Sequence, residues 1–122
     1  MIEFSEKQSK KTENKIQSEG ISCASSLGIE LTRTNAGKVK VRGGWMQLAC
    51  KGWGDTTGYN QEAKIVMIEF KDVKSFLSKD HGANEDQIKR LNDIKSKGGI
   101  CGIACCDEHV KSIIGGNYVG LI

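Results

Sequence analysis

The stretch KIVMIEFKDV, Lys64 to Val73, constrains this chain more than any other. Ile65, Val66, Met67, Ile68 and Phe70 make it read as a buried strand. Glu69 and Lys71 interrupt that reading. A two-residue step along a strand returns to the same face, so the acid and the amine project together. Burying either charge alone is costly. Two arrangements meet that cost. The pair neutralise each other or snorkel out at the strand end, or a divalent cation and a phosphate supply the missing partners.

The triplet Glu-x-Lys is weak by itself. With nine glutamates and fifteen lysines, chance supplies about one, and the chain has three: Glu13–Lys15, Glu62–Lys64 and Glu69–Lys71. Glu13–Lys15 falls on a predicted helix, where residues two apart do not face each other. Glu62–Lys64 falls in a polar turn. Only Glu69–Lys71 ends a buried strand.

Length and composition fit one ordinary globular domain, residues 1–122. The chain is 38% hydrophobic and 27% charged, enough apolar material for a core. No apolar run reaches membrane-span length, and the charged start MIEFSEKQSKKTENK lacks a signal-peptide pattern. Five cysteines, an odd number without framework spacing, suit reduced thiols in a cytoplasm. A net charge of +3 permits a nucleic-acid partner without demanding one. Basic clusters at Lys7, Lys10, Lys11 and Lys15, and at Lys38, Lys40 and Arg42, are equally readable as solvated faces.

Proline is absent, so glycine punctuates the chain. Periodicity predicts a helix over about 6–27, with Glu13, Ile16, Gly20, Cys23, Ala24 and Leu27 on one stripe. Ser5 and Gln8 form a candidate capping box, Gly20 a candidate break and Gly28 a stop. Strands are predicted at 29–34 and from Lys38 to Arg42, separated by the turn Asn35 to Gly37. WMQLACKGWGD then runs to Asp55, and TTGYNQEAK reads as a polar turn. After the 64–73 strand, KSFLSKDHGANED reads as a polar loop. A helix follows from about Glu85 to Lys97, with Asn84 as N-cap and Gln87 as its box partner. A buried strand at 100–106, a short helix capped by Asp107 and ending at Ile114, and an edge strand over NYVGLI complete the order. The expectation is a mixed α/β domain, α-β-β-β-α-β-α-β.

Asp55 adds a second acid. If a strand begins near it and pairs antiparallel with 64–73, Asp55 and Glu69 meet. Two carboxylates that close repel unless one protonates or a cation intervenes. Mg²⁺ or Mn²⁺ suits such oxygen donors, and the backbone carbonyl of Phe70 is a further candidate ligand. The alternative for Asp55 is a turn-forming role in GWGDTTG. With a metal present, the Lys71 ammonium is positioned to stabilise charge developing on a scissile phosphate.

GWGD, then IEFK, then a helix carrying Gln87, resembles the PD-(D/E)xK nuclease superfamily, and more narrowly its virus-type replication-repair nuclease (VRR-NUC) domain. Glu13 on an upstream helix and RTNAG, Arg33 to Gly37, match two further features of that family, so the likeness spans about residues 13–106. Gly54 stands where the superfamily name has Pro, and Asn84 where the narrower family usually has Ser. The resemblance implies a restriction-endonuclease-like core, with a mixed central sheet flanked by helices. It implies Asp55 and Glu69 as metal ligands, Lys71 as the catalytic lysine, Gln87 as a supporting residue and Glu13 acting through water or through contacts to the metal's own ligands. Its stand-alone members imply a metal-dependent endonuclease hydrolysing phosphodiester bonds in branched DNA, a Holliday-junction resolvase acting as a homodimer, from a bacteriophage. It implies no organic cofactor and no membrane. Nucleases for flap, nicked or specific duplex DNA, and a non-catalytic DNA-binding module on the same fold, are the alternatives.

Arg33, Asn35, Lys38, Lys74 and Lys79 are candidate phosphate contacts. Trp45 and Trp53 read as core or interface residues, and His81 as an exposed loop residue. Cys101, Cys105, Cys106 and His109 raise zinc, but no second CxxC-type pair accompanies them. Their reading is as small buried hydrophobes.

Overall fold

A computed structural model describes residues 3–34, 38–47 and 52–121. Two short N-terminal helices, α1 (Glu6–Ser9) and α2 (Glu13–Ser26), precede β1 (Thr32–Arg33), β2 (Lys38–Val41), β3 (Gly44–Gln47), β4 (Thr56–Tyr59) and β5 (Ile65–Phe70). Then come α3 (Val73–Phe76), a 3-10 turn (Lys79–Gly82), α4 (Glu85–Ser96), β6 (Ile100–Ala104) and α5 (Asp107–Ile114). The main sheet has the order β1-β4-β5-β6, antiparallel except for the parallel pair β5–β6, while β2 and β3 form a separate hairpin.

β5 is buried because both of its faces are covered. Val66, Ile68 and Phe70 pack with Ile16, Ala24, Val110 and Ile113 of α2 and α5. Met67 packs on the other side with Leu91 and Ile94 of α4 and with Ile103. Glu69 belongs to this second face by alternation. The α/β class and the mixed, helix-flanked sheet match the sequence expectation.

Several boundaries differ from those expected. The single helix over 6–27 is two helices. Residues 5–12 offer no apolar stripe, and Thr12 starts α2 by accepting the Lys15 amide through Oγ1 (3.2 Å). Only Thr32 and Arg33 of the 29–34 segment pair as strand, while Ile29 and Leu31 are buried outside it. TTGY, read as turn, is β4: Thr56 is fully buried and Thr57 pairs with Thr32 and Met67. The expected loop after β5 contains α3, capped by Asp72 accepting the Ser75 amide (2.7 Å), and the 3-10 turn. Cys106, not Asp107, is the N-cap of α5. Residues 117–121 of the expected NYVGLI strand form no strand, and Ile122 lies outside the described residues. Gly116 and Gly120, at φ of 101° and 78°, turn the backbone, and Val119 keeps one rung by accepting the Ile103 amide (2.9 Å).

Candidate functional site

Antiparallel register brings the two acids together. Thr56 pairs with Ile68, so one step earlier Asp55 stands opposite Glu69. The strands interlock there. The Asp55 amide donates to Glu69 Oε2 (3.0 Å), and the Phe70 amide donates to Asp55 Oδ2 (2.9 Å). Gly54 lets the chain pass this close, because a Cβ at that position would press 2.6 Å from Met67 Cγ. Phe70, the candidate carbonyl ligand, is thus the β5 residue tied to Asp55 through its amide.

From the opposite layer, α4 delivers Gln87. Its capping box with Asn84 forms as predicted, Asn84 Oδ1 accepting the Gln87 amide and Gln87 Oε1 accepting the Asn84 amide, both at 2.9 Å. That fixes the side chain and leaves Nε2 to donate to Glu69 Oε1 (2.8 Å). Lys71 Nζ lies 3.5 Å from the same oxygen, with its side chain 14% exposed against 1% for Glu69.

Burial pushes the Glu69 carboxyl up to about 8, and the Asp55 charge pushes the same way. Lys71 and the Asp55 amide act against these and do not prevail. Glu69 therefore holds its proton near neutral pH. The donors are all oxygen, the set that Mg²⁺ and Mn²⁺ favour. The Asp55 carboxyl also hydrogen-bonds the Glu69 carboxyl, and this contact too raises the Glu69 pKa.

Glu13, in the first turn of α2, is exposed, yet protein around its carboxyl raises its pKa. Lys71 opposes that shift, and Asp55 and Asp72 add to it. It is an electrostatic neighbour, not a third close acid: Glu13, Asp55 and Glu69 do not gather within 4.8 Å of one another. Asp72, which the sequence reading did not single out, joins this group, and its capping bond to Ser75 lowers its own pKa. Its D-x-x-S pattern was the available signal.

The described candidate phosphate contacts fall on different elements. Arg33 donates to Asn14 Oδ1 (3.3 Å) and Ser18 Oγ (2.8 Å), tying β1 to α2. Lys74 and Lys79 are exposed on α3 and the 3-10 turn. Lys38 is described only as the backbone start of β2, and Asn35 lies outside the described residues. Trp53 is half-buried, donating to Thr57 Oγ1 (2.8 Å) beneath the Arg90 guanidinium at 5.3 Å; the Trp45 side chain lies outside the described residues. His81 is not a free loop residue: its ring stacks on Phe76 at 4.4 Å.

Comparison with protein-family models, curated proteins and solved structures found no match for this chain. The site therefore rests on its own geometry. Among the described residues no helix is long and apolar enough to cross a membrane.

A second cluster lies at the end of β6. Cys105, Cys106 and His109 bring their sulfurs and a ring nitrogen within 4.8 Å of one another. Cys101 is apart, donating to the Leu91 carbonyl. The four described cysteines are free thiols.

Proposed function

We propose that this chain is a Mg²⁺- or Mn²⁺-dependent endodeoxyribonuclease of the PD-(D/E)xK type, related to VRR-NUC domains. The observation that carries the reading is the interlock of Asp55 with Glu69, flanked by Lys71 and buttressed by Gln87. A buried acid facing a second acid keeps a proton or takes a cation, and we favour the cation because an adjacent ammonium suits a phosphate.

Asp55 and Glu69 would hold the ion, with the Phe70 carbonyl beside them. When bound, such an ion polarises the phosphate and lowers the pKa of a water. Gln87 keeps Glu69 Oε1 in place, so the carboxylate needs little reorganisation. Lys71 faces the charge that develops on the phosphate, and Glu13 orients water at the rim. The substrate we favour is a four-way DNA junction cut by a homodimer, since two-fold symmetry presents one site to each of two equivalent strands. Junction preference, dimerisation and a phage origin with work in a bacterial cytoplasm rest on the family resemblance.

Labelled four-way, flap, nicked and linear DNA, each incubated with Mg²⁺, Mn²⁺ or chelator, test the proposal. Metal-dependent cutting of the junction is expected. Cutting of linear duplex alone removes the resolvase reading, and binding without cutting under either metal removes the enzyme.

A further inference from the structure

We propose that Cys105, Cys106 and His109 form a second, structural metal site for a thiolate-preferring cation of the Zn²⁺ class, separate from the acidic site and chemically unlike it. Bond lengths of about 2.3 Å to sulfur and 2.0–2.1 Å to imidazole put tetrahedral ligand atoms about 3.5–3.8 Å apart. Cys105 Sγ and His109 Nδ1 already stand 3.6 Å apart. All three ligand atoms lie within 4.8 Å, so closing on an ion needs movements of at most about 1 Å.

The ligands are held from outside the cluster. Phe76 lies against the His109 ring at 4.6 Å, and Phe4 meets its face edge-on at 6.0 Å. The Ser5 half of the expected capping box forms, Ser5 Oγ accepting the Gln8 amide (3.0 Å), while Gln8 Nε2 donates to the Cys105 carbonyl (2.8 Å). His109 Nδ1 accepts the Cys105 amide (3.2 Å), so this nitrogen is the unprotonated one and its lone pair is spent on that amide. Metal binding exchanges that hydrogen bond for a metal bond, and each ligating thiol gives its proton to solvent. Cys105 and His109 are closed off, whereas Cys106 opens onto a cavity of about 320 Å³ shared with Phe4, Gln8, Lys11 and Asp107. That cavity offers the entry path and room for a water as fourth ligand.

The site would fasten the turn after β6 to the first turn of α5, with α1 in touch through Gln8. It begins one residue past Ala104, whose carbonyl accepts the Lys71 amide (3.0 Å), and so braces the sheet end that carries the lysine.

The test is titration of the full chain, kept reduced by a phosphine, with Co²⁺ and then Zn²⁺. One equivalent of Co²⁺ should produce a thiolate-to-cobalt charge-transfer band that Zn²⁺ bleaches. The oxygen-only acidic site cannot produce that band, so the readout is independent of DNA cleavage. Cys106→Ala and His109→Ala should weaken or abolish it, and Cys101→Ala should leave it. Because buried variants can lose the fold, zinc-edge X-ray absorption on the unmutated protein gives a second reading, with two sulfurs expected around zinc. A zinc environment without sulfur, or a band unchanged in intensity and affinity in Cys106→Ala, overturns the proposal.

Discussion

Glu69 is a carboxyl sealed from water, and its protonation links to stability. Its folded pKa, about 8, lies above the ordinary value of 4.5, so the folded state binds the extra proton between them. Stability from this group is fully present below about pH 4.5 and is lost as pH rises through about 8. Metal-free protein should therefore unfold at progressively lower denaturant across that window, measured in chelator, and Glu69→Gln should flatten the trend. An unchanged midpoint from pH 5 to 8 would contradict the burial argument. Glu69→Gln and Lys71→Ala should each cut cleavage by at least about 100-fold with circular dichroism unchanged, as expected when a group serving the transition state is removed. Near-normal cutting by either variant means the chemistry lies elsewhere.

At the scale of elements, α2 and β5 meet through a missing side chain. Gly20 is buried in α2, and a Cβ there would run into the Phe70 ring. That close approach seats α2 so that Glu13, two turns earlier, overlooks Asp55 and Lys71. Alanine is the better helix former by about 1 kcal/mol, but overpacking a buried ring costs about 1–3 kcal/mol. Gly20→Ala should therefore lower the thermal midpoint, and a rise would show that the helix can shift. The legible elements were those with strong local signals. α4 follows from its apolar stripe and its Asn84–Gln87 box, and β5 from its apolar run. β4 enters the sequence reading only as a conditional partner of the 64–73 strand, because Thr-Thr-Gly-Tyr has no strand pattern of its own. Its burial comes from Ile68, whose carbonyl accepts Thr56 Oγ1 (2.9 Å). α3 was missed because four residues carry no periodicity.

Across the whole molecule, the net charge is only +3. DNA affinity, if the proposed function holds, should come from several phosphate contacts and fall linearly on a log–log plot against salt. A flat response in a binding titration from low to moderate salt would argue against phosphate recognition. The sequence by itself determined the residue types at the acidic site and their order along the chain, because a strand's alternation and a helix's capping are local rules. Only the tertiary structure decided which of them meet. The β4–β5 register sets Asp55 against Glu69, and α4 aims Gln87 at the same carboxylate. The turn out of β6 gathers two sulfurs and an imidazole that spacing alone left as packing. Distances between segments depend on how the layers pack, and a linear pattern carries no measure of that.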